Sequence, residues 1–165
     1  MLKVRIIPTL LWKDLTLVKG VSFDSWRRVG SIMPAVKVYN TRQVDELIVV
    51  DITATNDGRE PDYEIIEEFA ADCFVPLTFG GGVNSVKIIK KLLRAGADKV
   101  AVNSAIYANP EIIVEGVKQF GKQCIIASID VKREGDRFIC YSNSGNKCTK
   151  RDLLDVVQYV YQLGV

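Results

Sequence analysis

Two hydrophobic periods alternate along the chain. Short apolar, largely β-branched runs recur as "VRIIPTLL" from Val4, "ELIVVDI" from Glu46, "VPLTF" from Val75, "KVAVNS" from Lys99 and "CIIASID" from Cys124. Runs of this kind, bounded by Gly, Asn, Asp or Ser, predict strands buried on both faces. Between them the repeat changes to 3.6 residues. In "DYEIIEEFAAD" the residues Ile65, Ile66, Phe69 and Ala70 make one stripe, and in "SVKIIKKLLRAGA" Val86, Ile88, Ile89, Leu92 and Leu93 make another before Gly96 stops the helix. From the second run onward the strands recur roughly every 25 to 30 residues, which suits one strand, one helix and two short loops. The alternation predicts an α/β fold with a parallel sheet, either an open doubly wound sheet or a closed barrel.

The last segment, "RDLLDVVQYVYQLGV", predicts an amphipathic helix with Leu153, Leu154, Val157, Val160 and Tyr161 on its apolar side and Gly164 as its stop. A next strand is due at that point and the sequence ends. About five βα units cannot close an eight-stranded barrel. The expectation is therefore a single domain over 1–165 that is a fragment, or a partial barrel that pairs with something to cover its edges.

Composition narrows the function. The balance of 22 basic and 20 acidic residues, a formal charge of +2, argues against broad attraction to nucleic acid or a membrane surface. No apolar run reaches about 18 residues and no leader precedes the first strand, which together predict a soluble, cytoplasmic protein. The four cysteines are scattered without a CxxC pair and histidine is absent, so zinc chemistry of the usual kind is disfavoured and nothing calls for a cofactor. Acid and base work near neutral pH then falls to Asp, Glu, Lys, Cys or Tyr.

In parallel α/β folds functional groups gather at the C-terminal ends of strands. There the chain places Asp51, Gly80 to Gly82, Asn103 with Ser104, and Asp130. Asp51 and Asp130 read either as helix caps or as chemical groups. Gly81 and Gly82 read either as a tight strand-to-helix turn or as N–H donors for an anion at the next helix, with Asn103 and Ser104 adding donors to the same phosphate. On the phosphate reading, Gly82→Val abolishes phosphate-ester binding in a chain that still folds. Asp130 is the first choice for a general acid or base if burial raises its pKa. At the opposite strand ends Arg5, Glu46 and Lys99 read either as solvated charges or as a salt-bridged ring closing the barrel bottom. The stretch carrying Lys13, Lys19, Arg27 and Arg28 reads as a mobile loop over the mouth, with Lys19 available for a substrate phosphate, or as a solvated basic loop.

The segments "RIIPTLLWKD", "VKGVSF", "DELIVVDITAT", "GREPDYEIIEE", "VPLTFGGGV", "LLRAGADKVAVNSA", "CIIASIDVKR" and "YSNSG" together resemble, in order, the HisF family, the cyclase subunit of imidazole glycerol phosphate synthase. The resemblance implies a (β/α)8 TIM barrel, here only about five units of it. It implies a HisH-like glutaminase docked on the N-terminal face, sending ammonia through the barrel to a bisphosphorylated ribulosyl formimino carboxamide ribonucleotide. It assigns Arg5, Glu46 and Lys99 to an ammonia gate, Gly82, Asn103 and Ser104 to a phosphate site, Asp130 to catalysis, and Asp51, Lys19 and Ser144 to the active-site surroundings.

One position departs from the family. Histidine-pathway cyclases carry an aspartate where this chain has Leu11, and a leucine transfers no proton. The departure favours a second branch of the family, similar to the AglZ-like acetamidino modification proteins of surface polysaccharide synthesis. There a HisF-like barrel supplies ammonia to a sugar amidotransferase. Cyclisation in histidine biosynthesis is the alternative, and a non-catalytic half-barrel that dimerises through open strands is a third.

Overall fold

The computed structural model describes residues 4–21 and 23–165. Ser22, the first residue of the "SFDSWRRVG" stretch, lies outside them. The chain enters through β1 (Thr9–Lys13) and folds back twice, as β2 (Thr16–Val21) and β3 (Asp24–Gly30), before α1 (Ile32–Thr41). Then come β4 (Leu47–Asp51), the short α2 (Ala54–Asp57), α3 (Tyr63–Asp72), β5 (Leu77–Gly80), α4 (Val86–Arg94), β6 (Lys99–Val102), α5 (Ser104–Ala108), α6 (Glu111–Phe120) and β7 (Ile125–Ala127). A three-stranded antiparallel sheet, β8 (Asp130–Glu134), β9 (Arg137–Ser142) and β10 (Lys147–Asp152), precedes α7 (Leu153–Gln162).

The main sheet runs β3-β2-β1-β4-β5-β6-β7, with β1, β4, β5, β6 and β7 parallel to one another. Each crossover advances by one strand in the same direction. A doubly wound sheet would reverse direction partway, so this is the singly wound order of a barrel wall. The sheet is not closed, and β3 and β7 are its edges.

Helix boundaries follow from local chemistry. Asp62 caps α3 by accepting from the Ile65 N–H, and Ser85 caps α4 by accepting from the Ile88 N–H. Gly96, past the end of α4, has φ of +100° and comes so close to the Ala70 side chain that a Cβ there would lie 2.5 Å from it. Ile66, Phe69, Ile88, Ile89 and Leu92 are buried on the predicted stripes.

Alternation along the strands sorts two faces. Leu10 and Trp12, Leu47 and Val49, Leu77 and Phe79, and Val100 and Val102 turn outward under the helices and are buried. Trp12 meets Phe69 and Phe79 edge to face at 5.7 and 6.3 Å. The inner face is only half-buried at Leu11, Ile48, Val50 and Ile126. The expectation of strands buried on both faces therefore holds for β5 but not for β1, β4 or β7, because the sheet does not curl round to cover its own inner side.

Three further expectations are corrected. The first strand begins at Thr9 rather than Val4: Val4 and Ile6 are exposed, although the Ile6 and Pro8 carbonyls accept from the Asp45 and Ile48 N–H groups at 3.1 and 2.9 Å. Pro8 has no N–H to give the ladder. The stretch read as a mobile loop is instead the β2–β3 ribbon, paired in register with β1. On α7 the buried residues are Val156 and Val160, while Leu154, Val157 and Tyr161 are exposed. That helix is apolar on more than one side, so its sequence could not say which stripe meets β9 and β10.

Candidate functional site

The inner face is layered. Strand register puts Val18, Leu11, Val50, Gly80, Ala101 and Ile126 in one row across β2, β1, β4, β5, β6 and β7. This row is apolar or small. One step toward the N-terminal ends lies the row Thr9, Ile48, Thr78 and Lys99. One step the other way the strands give out at Gly82, Asn103, Ser128 and Asp130, which border a cavity of about 430 Å³.

At the N-terminal ends Glu46 is buried between two cations. Its carboxylate accepts from the Arg5 guanidinium on one oxygen and from Lys99 Nζ at 2.5 Å on the other. The charges read as either solvated or ring-forming are thus paired with one another at the base of the inner face. Above them Thr78 is fully buried, and among the described residues its hydroxyl has no hydrogen-bond partner.

At the other end Asp130 borders the cavity. It stands three residues beyond β7, as the first residue of the antiparallel β8 opposite Tyr141, and so does not end the parallel strand as expected. Among the described residues no side chain bonds its carboxylate. Burial pushes its pKa from 3.8 up to about 6. It is the titratable group of this cavity whose charge changes near neutral pH.

Asp51 has a different job. Alternation turns it outward from β4. Its Oδ1 accepts from the Thr53 N–H, the Thr53 hydroxyl, the Ala54 N–H and Arg59 Nη2 at 3.0, 3.0, 3.1 and 3.0 Å. Oδ2 faces Arg59 Nη1 at 2.8 Å. The cap role is visible: this carboxylate folds the loop from 51 to 59, while it also borders the cavity and its buried Oδ2 has no hydrogen bond besides the Arg59 ion pair among the described residues. Asp51→Ala is expected to cost about 2 kcal/mol, reduced from the usual value for a broken buried pair because the Arg59 side chain is 39% exposed. Urea unfolding measures it.

The glycines are required by that loop. Gly81 has φ of +110°, and a Cβ on it would lie 2.2 Å from the Asp51 carbonyl oxygen. Gly82 has φ of +68°, and a Cβ there would lie 2.8 Å from the Arg59 carbonyl oxygen. The Gly82 N–H donates to the Thr55 hydroxyl at 3.2 Å. Gly82→Val therefore strains the backbone and is no clean probe of phosphate binding, contrary to the expectation from sequence.

The other predicted donors are also engaged. Asn103 Nδ2 donates to the Ser128 carbonyl at 2.9 Å, and the Ser104 hydroxyl donates to Asn103 Oδ1 at 3.3 Å while accepting from the Asn143 N–H at 3.0 Å. Ser144 donates to the Ile52 carbonyl at 2.8 Å, carrying the β9–β10 tip back over the mouth. Gly80 to Gly82, Asn103, Ser104, Ser144 and Asp130 are brought to one cavity. Lys19 is not. It pairs with Arg27 on the outer side of β2, two residues from the buried Leu17, whereas Val18 faces Leu11 on the cavity side.

Sequence reasoning missed Phe23, Trp26, Arg59 and Asn143, all of which border the cavity. Phe23 and Trp26 belong to a ribbon whose turn carries no Asn-Gly or Asp-Gly signal. The β8–β9 hairpin was legible in principle, since "EGD" between two runs of strand-forming residues is a hairpin signature, and Gly135 takes φ of +61° there.

Residues 5–165 match the family of the histidine biosynthesis protein. The chain is 45% identical over 159 residues to the provisionally named imidazole glycerol phosphate synthase subunit hisF2 of Campylobacter jejuni, covering 96% of this chain and 63% of that protein. It is 44% identical over 165 residues to the imidazole glycerol phosphate synthase subunit HisF of Streptococcus sanguinis, covering 99% and 66%. A provisionally named hisF3 of Vibrio vulnificus is 39% identical over 166 residues, covering 99% and 64%. The chain thus spans a little under two thirds of the length of these relatives. By its match from residue 5 to residue 165 and its strand order, the chain belongs to the histidine biosynthesis protein family, as a HisF-like member.

Proposed function

We propose that this chain forms the substrate-binding and ammonia-accepting part of a cyclase of the imidazole glycerol phosphate synthase type. The observation that carries the reading is Asp130, a half-buried carboxylate without a side-chain partner among the described residues, held near pKa 6 beside Gly82, Asn103 and Ser104. A group poised there takes or returns a proton near neutral pH. In this reading the phosphate of a phosphorylated substrate takes the Gly82 N–H from the Thr55 hydroxyl and the Ser104 hydroxyl from Asn103 Oδ1. The Arg5–Glu46–Lys99 cluster guards the far end, where a HisH-like glutaminase delivers ammonia. The apolar row between the two ends offers ammonia no competing charge.

The relatives' names favour this reading over sugar amidination, which Leu11 together with Arg5, Glu46 and Lys99 favours on sequence. Amidination stays as a second reading on one observation: Leu11 sits in the cavity floor, between Val18 and Val50, where the family's cyclases carry a carboxylate. In it the barrel passes ammonia to a sugar amidotransferase and closes no imidazole ring.

Ammonia-dependent turnover of the ribulosyl substrate separates the two. The cyclase reading expects turnover by the unaltered chain. No turnover by the unaltered chain, with turnover appearing in Leu11→Asp, supports amidination.

A further inference from the structure

We propose that the outer faces of α3 and α4 form a self-complementary docking surface, on which a second copy of this chain seats its acidic α3 against the first copy's basic α4, and the reverse.

The two helices divide charge by sign. Between Tyr63 and Asp72 every charged residue is acidic: Glu64, Glu67, Glu68 and Asp72. Between Val86 and Arg94 every one is basic: Lys87, Lys90, Lys91 and Arg94. With Ile66 and Phe69 buried on α3 and Ile88, Ile89 and Leu92 buried on α4, the helical period brings Glu64, Glu67 and Glu68 to the exposed side of one and Lys87, Lys90 and Arg94 to that of the other. The helices are neighbours: Lys91 Nζ reaches Glu60 at 2.7 Å and lies 4.9 Å from the Tyr63 ring centroid. Each returns the chain between parallel strands, so the two run side by side in the same direction.

Proximity does not pair the stripes within one chain. Asp72 is taken by Lys37 of α1 at 3.3 Å, and Lys91 by Glu60. Among the described residues Glu64, Glu67, Glu68, Lys87, Lys90 and Arg94 make no ion pair or side-chain hydrogen bond, and Lys87 acts on Glu60 only beyond that range.

The occupant follows from the chemistry. No large apolar side chain is exposed on either helix, so charge decides what docks there. A polyanion drawn to α4 would lie against the α3 carboxylates, and a polycation drawn to α3 would lie against the α4 cations; like charges so placed repel. The partner must itself carry both signs, side by side and at this spacing. A second copy does. A two-fold axis along the groove between the helices lays each α3 over the other copy's α4. The acids recur at i, i+3 and i+4 and the bases at i, i+3 and i+7, so level helices bring Glu64 to Lys87 and Glu67 to Lys90 of the second copy. Arg94, its long side chain leaning back toward the helix N-terminus, meets Glu68. None of the six borders the cavity, so this surface is separate from the site described above.

Sedimentation equilibrium of the full chain at 50 and 500 mM NaCl tests this, together with two reversed chains. One carries Glu64→Lys and Glu68→Lys, the other Lys87→Glu and Arg94→Glu; all four side chains are exposed, and circular dichroism checks that the fold is kept. The unaltered chain should dimerise at 50 mM NaCl. Its association constant should fall on the order of tenfold or more at 500 mM, where the screening length shrinks to about 4 Å. Each reversed chain alone should be monomeric at 50 mM, and an equimolar mixture should restore a dimer with one of each. A monomeric unaltered chain at 50 mM overturns the proposal, as does a mixture that fails to associate. A dimer indifferent to salt and to both reversals also overturns it, and would belong to the open edges β3 and β7 instead.

Discussion

On the proposed cyclase function, Asp130→Asn is expected to lower ammonia-dependent turnover by roughly 10²–10⁴-fold, the range that a positioned acid or base contributes. The asparagine keeps the shape of the side chain and cannot exchange a proton, so substrate affinity should change much less than kcat. In the unaltered protein kcat/KM should rise with pH along a limb of apparent pKa about 6 if Asp130 acts as the base, since the carboxylate form does the work. A variant that loses affinity and keeps kcat would assign Asp130 to binding rather than proton transfer.

The same carboxylate makes an opposite prediction for stability. Its folded pKa of about 6 lies above the ordinary 3.8, so between those values the folded chain holds more protons than the unfolded one. Stability contributed by the neutral acid is fully present below about pH 4 and is lost as pH rises through 6. Asp130→Asn, neutral at every pH, should therefore unfold at higher urea than the unaltered chain at pH 8 and at nearly the same urea at pH 3.5. Equal effects at the two pH values would mean that burial does not hold the proton. Loss of turnover together with gain of stability is the signature of a group kept for chemistry at a cost to the fold.

Gly81→Val is expected to destabilise the chain by about 4 kcal/mol, combining a β-branched residue at φ of +110° with a Cβ placed 2.2 Å from the Asp51 carbonyl oxygen. The clash is with backbone that Asp51 and Arg59 hold by five contacts at 2.8 to 3.1 Å, so the loop cannot give way cheaply. Thermal and urea unfolding should show the loss without any ligand present. Were Gly81→Val to unfold like the unaltered chain and fail only in ligand binding, the three glycines would be there for the phosphate alone.

That outcome bears on how the glycines are read from sequence. An apolar strand running into Gly80, Gly81 and Gly82 signals that something must approach the backbone closely. The sequence cannot say what approaches. In the fold the first visitor is the neighbouring strand's own loop, and a phosphate, on the proposed function, comes second. Asp51 followed the same course: its position at a strand end was legible, and its occupation by Thr53, Ala54 and Arg59 was not, because those contacts are set by how the loop folds back.

Periodicity alone determined the α/β alternation, the helices over Tyr63–Asp72 and Val86–Arg94, and the strand ends at which Asp51, Gly80 and Asn103 gather. These are local properties, dictated by which neighbours three, four or two residues away share a face. The tertiary structure decided the rest. Register across β2, β1 and β4 turned Lys19 away from the cavity and Trp26 toward it, and left Leu11 in its floor. Packing against β9 and β10 chose Val156 and Val160 over Leu154 and Val157 on α7. Burial, which no sequence pattern prints, lifted Asp130 to about 6. Side-chain direction across a sheet and desolvation at a cavity wall are both fixed by residues remote in the chain, and only the folded protein brings those residues together.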